Sequence, residues 1–188
     1  MRRKSLAVVC VASIMLLWAP PASLSGAQIA HPVPAAQLYA VTQTVVANGT
    51  RTVVHNLTTA FSLGGMRVLT RDTVVVPDSG AYAVSASLCF EVGGGTVPPA
   101  TYETQVYVTG APALSWAVRT WSGWTPHHIL PSQVAQPTGS SLLWLQAGQE
   151  VQLGAWQGAG QNVGVGWDAP SMGRTANYLS LSWVGPST

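Results

Sequence analysis

The chain reads as an all-β protein, an antiparallel sandwich or barrel of about eight to ten strands. Three observations carry that reading. β-Branched and aromatic residues alternate with Ser, Thr and Gln over short runs, the period of a strand with one buried face. Gly, Pro and Asn interrupt those runs at short spacing. No sustained 3.6-residue apolar stripe, and no capping box ahead of one, is present.

In chain order, "AQLYAVTQTVV" is the first run and ends at Asn48-Gly49, a strong short turn signal. "RTVVHNL" follows. "RDTVVVP" leads into the turn Asp78-Ser79-Gly80, and "AYAVSASLCFEV" alternates cleanly after it. Its spacing puts Tyr82, Val84, Ala86, Leu88 and Phe90 on one face, and Ala83, Ser85, Ser87 and Cys89 on the other. Gly93-Gly94-Gly95 and Pro98-Pro99 form a loop before "TYETQVYV". Residues 110–139 are cut into short stretches by Pro112, Pro126, Pro131 and Pro137. "SSLLWLQAGQEVQLGAWQ" then predicts a hairpin turning at Ala147-Gly148-Gln149. A Gly-rich loop and a last alternating strand, "NYLSLSWVG", complete the pattern.

The N-terminus has its own logic. Arg2, Arg3 and Lys4 precede an apolar run of 13 residues, Leu6 to Trp18, and Ser25-Gly26-Ala27 follows. This predicts a secretory signal peptide over residues 1–27, with Gln28-Ile29-Ala30 as a second cleavage site. The run is too short to span a bilayer, which takes roughly 20 residues. Removing 27 of the 188 residues leaves 161, enough for one domain to bury about two-thirds of its surface without disulfides. Residues 28–37 read as a short lead-in and 38–188 as the domain. Cys10 leaves with the leader, and Cys89 reads as a small buried hydrophobe or, second, an intermolecular thiol.

Charge excludes some functions. Of eight cations, three belong to the leader, so five arginines (51, 67, 71, 119 and 174) face six carboxylates. No basic stripe is available for phosphates, so nucleic acid is not an expected partner. After cleavage no membrane span is expected. With so few ions, the domain must rely on Ser, Thr, Gln and Gly for its polar surface or cover surface by assembly.

Three ordered segments carry a family resemblance. "VVVPDSGAYAVSASLCF" resembles a strand ending in Pro, a Gly-x-Tyr turn and a long second strand. "LLWLQAGQEVQLGAWQ" resembles a Leu-x-Leu-x-x-Gly-Asp/Glu-x-Val-x-Leu hairpin, and "NYLSLSWVG" resembles a closing strand. Together they resemble the complement C1q globular head and the tumour necrosis factor-like superfamily, especially bacterial and phage members, over residues 40–186. The resemblance implies a ten-strand jelly roll and a homotrimer, with no collagen repeat or heptad ahead of the domain to assist assembly. Leu142, Trp144, Val151, Leu153 and Trp156 are the residues expected near the subunit interface. Either face of the hairpin suits that role, and each residue can equally be subunit core.

Chemistry-bearing groups are sparse. No serine sits in Gly-x-Ser-x-Gly, and no nucleophile, base and orienter stand together in the pattern, so no enzyme activity is expected. His127-His128 would point to opposite faces of a strand, which argues against joint chelation. No metal or other cofactor is expected. The family resemblance leaves calcium as a weak alternative, with Asp168 as the position to watch. The densest aromatic cluster is "SWAVRTWSGWTPHH": Trp116, Trp121 and Trp124 beside Arg119, His127 and His128. Exposed tryptophans anchor protein or glycan ligands and Arg adds forked hydrogen bonds; core or interface burial of Trp116 and Trp121 is the competing reading. The function expected is a secreted binding or structural module, homotrimeric, recognising a protein or glycan ligand multivalently. A monomeric carbohydrate-binding module using this Trp-rich loop is the alternative. Asn48-Gly49-Thr50 and Asn56-Leu57-Thr58 match the glycosylation sequon and read as unused in a bacterial protein.

Overall fold

Alternation fixes which side chains of each strand face inward, and the computed structural model shows two sheet layers closed over those side chains. It describes residues 32–92, 100–119, 133–166 and 176–186, within a unit spanning His31–Thr188. Every regular element among them is a strand, and none is a helix long and apolar enough to cross a membrane. The strands are β1 (Ala35–Ala40), β2 (Thr44–Val46), β3 (Thr52–Val53), β4 (Leu57–Leu63), β5 (Arg67–Leu69), β6 (Thr73–Val75), β7 (Gly80–Ser87) and β8 (Phe90–Val92). After them come β9 (Thr101–Val108), β10 (Ala111–Arg119), β11 (Gln133–Ala135), β12 (Thr138–Leu145), β13 (Glu150–Gln157), β14 (Val163–Val165) and β15 (Tyr178–Gly185).

A five-stranded sheet has the order β12-β7-β15-β1-β4, and a four-stranded one the order β11-β8-β14-β2. The lateral order is the same, with β11/β12, β7/β8 and β1/β2 each separated by only two or three residues. Asn177 bridges these breaks: its side chain accepts a bond from Cys89 N at 2.6 Å and its carbonyl one from Ala40 N at 3.0 Å. The opposing layer is six-stranded, β10-β9-β13-β6-β5, with β3 also paired to β13. All pairings are antiparallel. The architecture is an all-β antiparallel jelly roll, as the alternation and turn spacing predict.

Between the layers, Leu38, Tyr82, Val84, Leu179 and Leu181 meet Val74, Tyr102, Val106, Val151 and Leu153, all at or near zero exposure. Each such side chain contributes about 1.5–3 kcal/mol when fully buried. The predicted inward set Tyr82, Val84, Ala86, Leu88 and Phe90 is entirely buried. Cys89, assigned by alternation to the other face, is buried as well. Phe90 meets Tyr102 across the layers with ring centroids 5.3 Å apart, within the favoured range for tilted aromatics.

The predicted hairpin takes a different form. β12 pairs with β7 in the five-stranded sheet, whereas β13 pairs with β9, β6 and β3 in the six-stranded one. Ala147-Gly148-Gln149 is therefore a corner that carries the chain from one layer to the other. Gly148 holds φ at 86°, a conformation that only glycine adopts without cost. The corner is hooked to the one at Asp78-Ser79: Gly148 N donates to Val76 O at 2.8 Å, Val76 N to Gln149 O at 3.1 Å, and Ala147 N to Ser79 Oγ at 3.0 Å. Asn48-Gly49 is a corner of the same kind, since β2 and β3 lie in different sheets.

Candidate interaction surfaces

The outward face of the five-stranded sheet is organised in rows set by strand register. One row crosses all five strands as Leu142, Ala83, Ser182, Ala35 and Leu63. The next is Ser140, Ser85, Ser180, Gln37 and Phe61, and a third is Thr138, Ser87, Tyr178, Tyr39 and Thr58. Beyond the first row, Trp144 stands opposite Ala81, with Val184 in the β15 bulge. None of these five strands contains a charged residue. Leu142 is 64% exposed, Val184 59%, Trp144 50% and Leu63 50%. Large apolar side chains therefore stand exposed at both edges of this sheet, on β12 and β4, and on β15 between them.

At the same end lies a cleft of about 500 Å³ lined by Pro32, Val33, Pro34, Gly64, Gly65, Asp78 and Trp183. A side chain at Gly64 would collide with the Pro32 and Pro34 backbone, and one at Gly80 with the Trp183 indole. Trp183 Nε1 is buried there with no hydrogen-bond partner among the described residues.

The five residues expected at a subunit interface fall on three surfaces. Leu142 and Trp144 stand outward on the five-stranded sheet. Val151 and Leu153 are corrected to subunit core: both are fully buried because β13 turns them inward against the opposite layer. Trp156 is half-buried on the outer face of the six-stranded sheet, in the strand register opposite Glu103. Splitting of the expected hairpin between layers causes this dispersal. Phe61, Leu63 and Val184 are exposed on the same face as Leu142 and Trp144; their alternation phase is visible in the sequence, but which strands lie side by side is not.

Of the Trp-rich cluster, Trp116 is half-buried on the inward side of β10, its indole against Gly139 of β12, where a side chain would collide with it. Arg119 ends β10, in register with Thr101. Trp121, Trp124, His127, His128 and Asp168 lie outside the described residues, as does the segment 1–31.

The outer face of the six-stranded sheet is differently made. Tyr107 lies over Gly154, where an added Cβ would come within 2.6 Å of the ring. Its hydroxyl donates to Gln105 Oε1 at 2.9 Å, Gln105 Nε2 donates to Glu103 Oε2 at 2.7 Å, and Ser115 Oγ donates to the same oxygen at 2.8 Å. Gln105 is 3% exposed, so its amide is fixed by these bonds. Burial pushes the Tyr107 phenol up; the nearby Arg51 guanidinium opposes that shift and Glu103 adds to it.

His55 and Asp72 form a third polar group. His55 Nδ1 and Asp72 Oδ2 are 2.7 Å apart, and Asp72 Oδ1 accepts from Asn56 N at 2.7 Å. Leu57 N donates to Arg71 O at 2.8 Å. Asn56, Thr70 and Arg71 all hold positive φ, so the pair clasps two loops in a conformation disfavoured for non-glycine residues. Among the described residues, no three His, Cys, Asp or Glu side chains converge as metal ligands.

This sandwich, with an uncharged sheet on one side and a corner-hooked jelly-roll topology, has the tumour necrosis factor/C1q-like fold. It is similar to the Eiger TNF of S. frugiperda at 15% identity and a TM-score of 0.56, covering 84% of this chain and 96% of that one. It is similar also to murine APRIL at pH 5.0, with 13% identity, a TM-score of 0.54, and 82% and 99% coverage. A murine APRIL structure at pH 8.0 gives 14% identity and a TM-score of 0.52 over 80% and 98% of the two chains. No protein-family model matches the chain, and no curated protein matches it in sequence.

Proposed function

We propose that the protein is a secreted, non-enzymatic binding module that assembles as a homotrimer through the outer face of its five-stranded sheet. The observation that carries this reading is the charge-free composition of all five strands, joined to the exposed Leu142, Trp144, Leu63 and Val184. Depletion of charge at the centre of a patch, with aromatic side chains present, is the compositional mark of a protein interface. Apolar area of this sort gains about 25 cal/mol per Å² when removed from water, and identical subunits are the partners always available to it. The sequence features of residues 1–27 support export. Three copies together present a protein or glycan ligand with three equal sites, so modest single contacts add through avidity. The segment that follows β10, with Arg119, Trp121, Trp124, His127 and His128, is one surface proposed for such a ligand; Trp116, turned inward against Gly139, is not part of it.

Light scattering on the purified exported protein tests the assembly. A mass three times that of the subunit, unchanged on dilution to micromolar concentration, is the expected result. A monomer at high concentration overturns it.

A further inference from the structure

The outer face of the six-stranded sheet contains a carboxylate held by two donors, the buried Gln105 amide and the exposed Ser115 hydroxyl. Glu103 Oε2 accepts two hydrogen bonds, from Gln105 and from Ser115. Gln105 is in turn fixed by the Tyr107 hydroxyl. That arrangement locks the carboxylate's orientation, and its second oxygen, Oε1, accepts no bond among the described residues. A carboxylate is an acceptor with about four lone-pair sites, so Oε1 is free to receive hydroxyl protons from outside.

The surroundings define what fits there. Trp156 lies across from Glu103 in the strand register, half-buried, with the six-membered part of its indole over Gly158. A Cβ at Gly158 would approach Trp156 Cη2 to 3.1 Å, so the bare glycine lets the ring lie along the sheet. On the other side of Glu103 stands Ala117, small and exposed. The result is an indole beside an oriented carboxylate, a serine hydroxyl and a shallow open floor.

We infer that this face binds a neutral pyranose, with Glu103 Oε1 accepting hydroxyl protons and Trp156 packing against the sugar's C–H face. An apolar ring face next to a few convergent, pre-oriented polar groups is the usual make-up of a small-ligand site. Glu103 Oε2 is already satisfied by two donors, so the site offers hydrogen-bond acceptance beside an apolar ring, the pairing that a neutral polyol ring matches. This goes beyond the assembly and rests on the proposed function only for its multivalency. The site lies on the layer opposite the uncharged sheet, so three subunits joined through that sheet turn three such sites outward.

An array of neutral oligosaccharides, followed by titration with methyl pyranosides of the array hits, tests the inference. Saturable binding that falls at least tenfold in both Glu103→Gln and Trp156→Ala, with the assembly mass and the thermal transition of Glu103→Gln unchanged, is expected. Binding of free methyl pyranoside separates recognition of the sugar itself from recognition of a larger glycan. No saturable binding to the array, binding that survives both substitutions, or binding to alkylammonium probes alone would each overturn it. In a Leu142→Glu/Trp144→Glu variant, affinity for the methyl pyranoside is retained while array avidity drops. Failure of the sugar site and failure of the trimer are thereby read separately.

Discussion

The two outer faces of the sandwich solve the same problem in opposite ways. Strands of the six-stranded layer carry Arg67, Glu103, Arg119 and Glu150, and Gln105 and Tyr107 spend their polar atoms on a bonded network. The five strands β12, β7, β15, β1 and β4 hold no ion and leave Leu142 and Trp144 in the open, the one carboxylate of that layer's strands being Glu91 in β8. A face left to water tolerates charge, whereas covering a face as proposed for the five-stranded sheet would make every unpaired ion on it costly. Both layers share one core and one corner system, so the contrast lies in the outward positions alone.

Placing ions on the uncharged face is the strongest way to break that contrast. Leu142→Glu with Trp144→Glu should convert the assembly to monomers, each buried carboxylate costing on the order of several kcal/mol. Far-ultraviolet circular dichroism should keep its β signature, since neither side chain enters the core. Gln152→Glu on the opposite layer is the control and should leave the mass unchanged. Equal loss of assembly in both variants would mean that the two faces do not differ in role.

A smaller effect tests how the layers are joined at their edge. Trp116 reaches from the six-stranded layer to Gly139 of the five-stranded one, and a methyl at Gly139 collides with the indole. Gly139→Ala should therefore destabilise by about 1–3 kcal/mol, the usual cost of overpacking. That corresponds to a fall of roughly 2–4 °C in Tm for each kcal/mol in a domain this size. Gly154→Ala meets the Tyr107 ring at 2.6 Å, a milder approach than the one at Gly139 and on the outer face of one layer rather than between layers, and should cost less. The reverse order would show that Trp116 is free to swing outward.

These same residues show what the sequence made legible. Period-two alternation identified the buried set Tyr82, Val84, Ala86, Leu88 and Phe90 correctly, because side-chain direction is a local property of a strand. Turn residues likewise marked Asn48-Gly49, Asp78-Ser79-Gly80 and Ala147-Gly148-Gln149 as places where the chain reverses. Which sheet the chain joins after each turn was not visible. A hairpin and a layer-crossing corner use the same glycine and the same length, and the difference lies in pairings such as β12 with β7, dozens of residues apart. Hence Val151 and Leu153 were grouped with Leu142 and Trp144, although they belong to the core. The polar network of Glu103, Gln105, Tyr107 and Ser115 was hidden for the same reason. Three of its members alternate along β9, but the fourth comes from β10, and Gly154 of β13 makes room for the ring.

The finest comparison is between two tyrosines of β9, one on each side of the layer. Tyr102 points into the core, and its hydroxyl is buried with no partner among the described residues; Tyr107 points outward and donates to Gln105. Burial pushes both phenols above their usual value of 10.0. Removing an unpaired buried hydroxyl is neutral or favourable, whereas removing one from a bonded pair leaves its partner unsatisfied. Tyr102→Phe should thus leave stability unchanged or raise it by up to about 1 kcal/mol at pH 7, while Tyr107→Phe should cost about 1 kcal/mol. The pH dependence has a definite sign. A phenol raised in the folded state resists ionisation that the unfolded chain undergoes near pH 10, so its contribution is complete below that value and is lost as pH climbs through the folded one. Tyr102→Phe removes one such loss, and its advantage over the wild type should widen in denaturant titrations above pH 10. A narrowing gap would mean that the folded protein favours the Tyr102 phenolate, through a donor aimed at its oxygen, rather than resisting its ionisation.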